Sequence, residues 1–248
     1  MIGYLETLGH FFHFAIRALL TVPLALERPR EIGRQLYAIL LGALPLGAVA
    51  GLALGVVIWL HLHSVLQRFG ATQYLPQALA LAVVLEFAPT GAGLIVAGRS
   101  GASLGAELGS MRLTEQIDAL ETMGLSPVRL LVAPRVLACM LALPLLTVFI
   151  VYCGLAGSFT AEALGGNLSW VQYQSECLRG LRMTDVIPAT LKTVAFGYLI
   201  AVAGCYFGIE AHGGTEGVGR AATRGVVVST LLVLASNVAL VRIIQIVG

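Results

Sequence analysis

The sequence predicts an all-α integral membrane protein that has an N-terminal interfacial helix and five transmembrane helices. Of its 248 residues, 58% are apolar and only 11% are charged, whereas a soluble domain carries about 25% charged residues. The mean hydropathy is +0.89, and the apolar residues gather into long stretches that ionisable side chains seldom interrupt. This composition excludes a soluble enzyme, a nucleic-acid-binding protein and a disordered chain.

The first 30 residues are expected to form an amphipathic helix that lies on the cytoplasmic leaflet. Apolar residues recur at steps of three and four and share one helical face; they are Leu5, Leu8, Phe12, Ala15 and Leu19. Glu6 precedes every basic residue and no small-x-small cleavage site follows, so no cleaved signal peptide is expected. A poorly inserted additional span is the alternative, which Glu6 and Arg17 disfavour.

Five apolar stretches are each long enough to cross the bilayer, because about 20 helical residues span its hydrocarbon. They cover residues 36–64, 75–98, 136–161, 187–209 and 225–247. An ionised side chain at the bilayer centre costs roughly 2.5–3.5 kcal/mol, yet Glu86 interrupts the second stretch and Lys192 the fourth. Pro29 is expected to end the N-terminal helix before the first span.

Five spans place the two termini on opposite sides of the membrane. With the N-terminus in the cytoplasm, ten arginines lie at the cytoplasmic side, at positions 17, 28, 30, 34, 99, 112, 129, 135, 220 and 224. Four lie outside, at positions 68, 179, 182 and 242. Cytoplasmic segments carry the excess of basic residues, so a cytoplasmic N-terminus and a periplasmic C-terminus are expected.

A short acidic helix is expected at residues 113–124, in the cytoplasmic segment between the second and third spans. One side of it is apolar and the other acidic: Leu113, Ile117, Leu120 and Met123 form the first side, and Glu115, Asp118 and Glu121 form the second. Gly124 suits the left-handed position after a helix, and Pro127 stops its continuation. A helix that only rests on the lipid headgroups is the alternative interpretation.

The order of residues from Asp118 through Ala119 and Leu120 to Gly124 resembles the coupling loop of ABC importer permeases. In that family the loop docks into the ATPase subunit. This chain has no ATP-binding motif of its own, because Lys192 is its only lysine and no glycine precedes it, whereas a P-loop needs Gly-Lys followed by Ser or Thr. The glycine-rich residues 212–220 are expected to form a flexible cytoplasmic turn.

Three blocks of sequence resemble the MlaE/YrbE permease family. The first is EFAPTGAGLIVAGRSGASLGAELGSMRLTEQIDALETMGLSPVRLLVAPRVLA, from Glu86 to Ala138. The second is KTVAFG, which begins at Lys192, and the third is GGTEGVGRAATRGVV, which begins at Gly213. Members of the family often have arginine before the glutamate of the first block, where this chain has Leu85, so no role of that arginine carries over.

The resemblance implies a homodimeric ABC permease in the inner membrane, with residues 31–248 as its MlaE-type domain. It implies no catalytic residues and no cofactor of its own. Its implied partners are an MlaF-like ATPase, a hexamer of MlaD-like MCE-domain subunits and, in some members, an MlaB-like protein with a STAS domain. The implied cargo is phospholipid that moves between the inner and outer membranes.

The candidate lipid-binding residues are Glu86 and Lys192, which open the first two family blocks at similar depth in the outer half of the membrane. They are expected either to meet a lipid headgroup or to form a structural ion pair across two helices. Val65, Leu66 and Phe69 match family positions near the outer lipid cavity. The proposed ATPase-coupling residues are Glu115, Asp118, Leu120, Glu121 and Gly124.

Gly101, Gly105 and Gly109 repeat every four residues and are expected to let another helix approach closely. No metal site is expected, because the four cysteines form no C-x-x-C pair and His61 and His63 have no third ligand.

Two other functions remain open from the sequence. An ion-coupled secondary transporter of a hydrophobic substrate would use Glu86 and Lys192 as its titrating pair, but the chain shows no self-similar halves and five spans divide poorly into two. An anchor for envelope subunits would not need the acidic helix. Within the ABC class, an Mce-type permease for sterol or another lipid is the alternative to phospholipid transport.

Overall fold

The computed structural model describes residues 2–165 and 169–247. Eight helices follow one another along these residues: α1 (Ile2–Ala25), α2 (Pro29–Arg68), α3 (Thr72–Leu113), α4 (Gln116–Thr122), α5 (Val128–Gly165), α6 (Trp170–Arg179), α7 (Met183–Ile209) and α8 (Gly214–Val247). No strand occurs in this part of the chain. Five of the helices, α2, α3, α5, α7 and α8, are long and apolar enough to cross a membrane, so the predicted all-α membrane fold with five spans is confirmed.

The helices extend beyond the apolar stretches that predict the spans. Helix α3 continues past residue 98 to Leu113, and α5 begins at Val128 rather than near residue 136. Hydropathy identifies only the part of a helix that lies in the hydrocarbon. Arginine and glutamate are good helix formers, so the charged ends of α3 and α5 remain helical. The flexible turn expected at residues 212–220 is wrong beyond its start: Gly213 and Gly214 make a turn with φ of 94° and 70°, and α8 begins at Gly214.

Two turns of α3 are wound as π-helix, at Val83–Phe87 and at Ala97–Gly101. Each turn carries one charged side chain, Glu86 in the first and Arg99 in the second. A π-turn inserts one extra residue into a helix and is frequent at functional sites. Helix α3 therefore departs from regular α-helical winding at Glu86 and at Arg99, the two charged side chains in its apolar part.

Helices α2 and α5 pack through glycines that the sequence pattern did not single out. A Cβ atom on Gly55 would lie 1.9 Å from the carbonyl oxygen of Gly154 on α5. One on Gly157 would lie 2.3 Å from the carbonyl oxygen of Leu52 on α2. Because lipid tails are as apolar as leucine, helices in a bilayer associate through such close van der Waals contact.

The glycine repeat in α3 faces α8. A Cβ atom on Gly101 would lie 2.9 Å from the hydroxyl oxygen of Ser229, and one on Gly105 would lie 2.9 Å from the carbonyl oxygen of Ala221. Gly109 has more room on the side of α8, since its added Cβ would lie 3.6 Å from Val218, although it would lie 3.3 Å from Ala211 before that helix. The first two glycines therefore set the distance between α3 and α8.

One side of α1 packs on α7. The ring centroids of Phe11 and Phe14 lie 5.2 and 5.5 Å from that of Tyr206. The hydroxyl of Tyr198 donates a hydrogen bond of 2.7 Å to the carbonyl oxygen of Ala15. Helix α1 is not among the helices apolar enough to span, and these contacts hold it against the bundle.

The other side of α1 is apolar and exposed. Phe12 is 65% exposed and Leu19 is 50% exposed, so these two members of the predicted face point away from the bundle while Ala15 packs on it. The side chains of Leu5 and Leu8 lie outside the described part of the structure. An outward apolar side on such a helix suits a position in the membrane interface.

Replacing Gly55 with alanine should weaken the packing of α2 on α5. The new methyl group has no room beside Gly154, and overpacking typically costs about 1–3 kcal/mol. Gly33→Ala is the matched control, because no atom lies within 4 Å of a Cβ built at Gly33 on the same helix. Thermal unfolding in detergent should show a lower midpoint for Gly55→Ala alone; equal midpoints for both variants would contradict the packing argument.

Reporters fused to the chain test the predicted topology. With five spans, a reporter after Gly248 is expected outside the cytoplasm, and one inserted between residues 213 and 219 inside it. The measurement is the activity of an alkaline phosphatase fusion, which is active only outside, against that of a green fluorescent protein fusion. If both sites report the same side, one span has been miscounted.

Candidate functional site

A cluster of three polar side chains joins α3, α7 and α8 within the apolar region. The ammonium nitrogen of Lys192 lies 3.0 Å from Oε1 of Glu86. The side chain of Lys192 is only 1% exposed, whereas that of Glu86 is 43% exposed. The two sequence-predicted charges therefore meet across helices, with the ammonium enclosed by protein and the carboxylate open on one side.

The backbone of α3 supplies a second acceptor to the lysine. Lys192 Nζ donates a hydrogen bond of 2.7 Å to the carbonyl oxygen of Leu85. In a regular helix that carbonyl would accept from the amide four residues later, but this residue is Pro89, which has no amide hydrogen. The proline thus leaves a free acceptor, and the buried lysine uses it.

Asn237 of α8 completes the cluster and was not identified from the sequence. Its Nδ2 donates a hydrogen bond of 3.2 Å to Oε2 of Glu86. Its Oδ1 is buried and has no hydrogen-bond partner within the described residues. The signal in the sequence that could have identified Asn237 is an amide side chain in the middle of an apolar span, since polar residues at such depth are rare and functional.

The exposed side of Glu86 is the chemically important feature of this cluster. Glu86 lies 14 residues into α3, or about 21 Å along the helix axis, which is well inside a span. An ionised carboxylate at this depth does not face lipid tails, because hydrocarbon cannot solvate it. The open side of the cluster therefore faces water, a polar ligand or another protein surface.

Val65, Leu66 and Phe69 lie apart from this cluster, at the C-terminal end of α2. Val65 is 49% exposed and Phe69 is 80% exposed, while Leu66 is partly buried against the core. The start of α3 separates this region from Glu86 by roughly 20 Å along the helix. The structure does not bring the apolar and charged candidates together within one chain.

The helix between the second and third spans is shorter than the expected 113–124. Helix α4 covers Gln116–Thr122, because Leu113 still belongs to α3 and Glu115 adopts a left-handed φ of 59° that breaks the path. Gly124 has a φ of 74°, which is the conformation expected of a residue that follows a helix. An ion pair between Arg112 and Asp118 holds α4 against the end of α3.

The expected apolar side of this helix is divided. Ile117 is fully buried, whereas Leu113 is 45% and Met123 is 63% exposed. Glu121 is also exposed, and Leu120 is half-buried. We call the exposed group Leu113, Glu115, Glu121, Met123 and Leu125, which lies on α4 and the residues that flank it, the α4 surface; it combines apolar area with negative charge.

The described residues hold no group of three or more His, Cys, Asp or Glu side chains that would bind a metal ion. The four cysteines are free. Outside the spans, burial raises the pKa of the Cys177 thiol to about 11, so this thiol stays protonated and unreactive at neutral pH.

These elements define a multi-pass membrane protein with a charged cluster at membrane depth and an exposed short helix between two spans. Charged side chains at membrane depth often mark the pathway of a transported substrate. The family model of the permease MlaE matches residues 32–243. The chain belongs to this family and is an ABC transporter permease.

Individual relatives agree with this assignment. A probable ABC transporter permease protein of Rickettsia typhi is 36% identical over 239 residues, which cover 95% of this chain and 91% of the relative. The intermembrane phospholipid transport system permease protein MlaE of Haemophilus influenzae is 28% identical over 238 residues, or 94% and 90% of the two chains. The chloroplastic protein TRIGALACTOSYLDIACYLGLYCEROL 1 of Arabidopsis thaliana is 37% identical over 162 residues, or 65% and 46%.

Proposed function

We propose that this permease moves phospholipid between the inner and outer membranes. The observation that carries the proposal is the half-exposed carboxylate of Glu86, held at membrane depth beside the buried ammonium of Lys192. This cluster has no net charge, and it suits a zwitterionic headgroup whose cationic part meets Glu86 while the tails stay in hydrocarbon. The printed name of the Haemophilus relative, an intermembrane phospholipid transport permease, supports the same cargo.

The chain works as a homodimer in this proposal. A single chain leaves Glu86 43% exposed, and lipid tails do not solvate such a group. A second copy that faces the same surface would enclose a cavity with two polar clusters. The apolar residues Val65, Leu66 and Phe69 then belong to the outer wall, where acyl chains would lie.

Energy comes from a separate MlaF-like ATPase that docks on the α4 surface, which faces the cytoplasm in this proposal. The support is the exposed acidic and apolar character of this surface and its fixed position, since Arg112 ties Asp118 to the end of α3. The ion pair between Arg135 and Glu107, at 2.6 Å, links the start of α5 to α3 on the same side. A force on α4 would therefore reach both spans that flank it.

The remaining assignments follow from the family. We propose an inner-membrane location with a cytoplasmic N-terminus, which the arginine bias supports. On the periplasmic side the partner would be an MlaD-like hexamer of MCE-domain subunits, and a STAS-domain MlaB-like protein would join the ATPase in some complexes. Sterol or another lipid is the alternative cargo, and identification of co-purified lipid by mass spectrometry distinguishes the two.

Replacing Glu86 with glutamine tests the headgroup role, because the side chain keeps its shape and loses its charge. Transport of labelled phospholipid between vesicles, measured with the assembled complex, should fall about tenfold, the effect of one lost charge-assisted hydrogen bond. Glu216→Gln, at an exposed cytoplasmic position, is the control for loss of a carboxylate. Transport at the wild-type rate by Glu86→Gln would refute the headgroup role of Glu86. Failure of the complex to assemble would show instead that the ion pair is purely structural.

Charge reversal on α4 tests the docking surface. Glu121→Arg should abolish co-purification of the ATPase while membrane insertion stays intact, and the double change with Asp118→Arg should do the same. The single change is the sharper test, because Asp118 also pairs with Arg112 within the chain. Asp185→Arg reverses a charge at the far end of α7 and should leave recovery of the ATPase unchanged; normal recovery with Glu121→Arg would disprove the assignment.

A further inference from the structure

A second polar site lies on the cytoplasmic side, in a groove between α2 and α3. The groove has a volume of about 450 Å³, and its polar lining consists of Arg34, Gln35, Arg99, Ser100, Ser103 and Glu107. We propose that it binds the phosphate group of a phospholipid from the cytoplasmic leaflet. This inference rests on the proposed transport of phospholipid and adds to it a binding site at the opposite depth from Glu86.

Arg99 is fixed in this groove by the backbone of α2. Its Nη1 donates a hydrogen bond to the carbonyl oxygen of Gly42. A Cβ atom on Gly42 would lie 2.2 Å from the guanidinium carbon, so only glycine lets the planar group lie against the helix here. The π-turn at Ala97–Gly101 carries the arginine at this position.

The depth of Arg99 matches that of lipid phosphates in the cytoplasmic leaflet. The charge-free part of α2 runs between Arg34 and Arg68, and its midpoint is Gly51. Gly42 is nine residues closer to the cytoplasm, or about 14 Å along the axis, and half the hydrocarbon thickness is about 15 Å. The guanidinium on Gly42 therefore lies at the cytoplasmic edge of the hydrocarbon.

Arg99 also supplies the unbalanced charge of the groove. Arg34 is paired with Glu31 at 2.8 Å, and Glu107 is paired with Arg135 at 2.6 Å. No ion pair joins Arg99 to a carboxylate within residues 2–165 and 169–247. A planar guanidinium with donors left over can bind a phosphate group through two parallel hydrogen bonds.

The two polar sites of α3 lie at different depths in the membrane. Glu86 and Arg99 are 13 residues apart, which corresponds to roughly 20 Å along the helix. A headgroup at Arg99 would belong to the cytoplasmic leaflet, and a headgroup at Glu86 to the outer half of the membrane. The groove thus gives the transported lipid a binding position at the cytoplasmic end of its path.

Photochemical cross-linking of the full chain in nanodiscs tests this site. The nanodiscs contain phosphatidylcholine with a minor fraction of phosphatidylglycerol that carries a photoreactive headgroup, and mass spectrometry maps the labelled peptides. We expect labelling of residues 34–42 and 99–107, reduced about tenfold by Arg99→Gln, as for the loss of one charge-assisted hydrogen bond. Arg99→Lys keeps the charge and should restore part of the labelling.

Gly42→Ala is the matched variant, because it displaces the guanidinium without changing any charge and should reduce labelling as Arg99→Gln does. Arg17→Gln removes a cytoplasmic positive charge elsewhere and should leave labelling unchanged. Thermal unfolding of each variant identifies a folding defect. Equal labelling of wild-type and Arg99→Gln chains would overturn the site.

Two further cross-linking experiments identify the source of the phosphate. A photoreactive diacylglycerol, which lacks phosphate, should not label the groove, and equal labelling by it would overturn phosphate recognition. Inorganic phosphate should not protect the groove, and full protection would assign it to a free anion instead. Cross-linking does not require the ATPase. If the groove is labelled but the complex moves no phospholipid, the proposed transport function is refuted and the proposed lipid site is not.

Discussion

Hydrocarbon offers no partner to an ammonium group, and this constraint on Lys192 organises three of the five spans. The lysine must find acceptors on neighbouring helices, and it finds Glu86 and the carbonyl oxygen of Leu85, both on α3. Asn237 then ties α8 to the same carboxylate. Leaving the buried ammonium of Lys192 without these acceptors would be costly, so the bonds fix the mutual positions of α3, α7 and α8 at this depth.

The irregular winding of α3 and the small residues around it serve this arrangement. Pro89 leaves the Leu85 carbonyl without an amide partner, and the π-turn at Val83–Phe87 contains both Leu85 and Glu86. On the same helix Gly101 and Gly105 let α8 approach closely, and Asn237 of α8 lies within hydrogen-bond distance of Glu86. Regular winding of α3 and larger side chains in place of these glycines would disfavour this arrangement.

The sequence predicts the spans and the charged pair because each depends on local information. A charge within an apolar run is visible at Glu86 and at Lys192, and their equal depth follows from counting residues. Contacts across helices are not visible in this way. The pairing of Gly55 with Gly154, the bond from Arg99 to Gly42 and the ion pair of Arg112 with Asp118 depend on rotation and tilt of helices, which periodicity does not determine. The prediction of one apolar side on α4 was wrong for the same reason. The break at Glu115 leaves Leu113 on α3 and turns Ile117 inward.

The same cluster argues against the ion-coupled alternative. A coupling carboxylate must gain and lose a proton in each cycle, but protonated Glu86 would leave the ammonium of Lys192 buried without a compensating charge. An unpaired buried charge is costly, and this cost would have to be met at every turnover. A carboxylate that Lys192 satisfies on one side and that is open on the other suits a ligand that carries its own positive group. This arrangement supports the proposed headgroup-binding permease over an ion-coupled transporter.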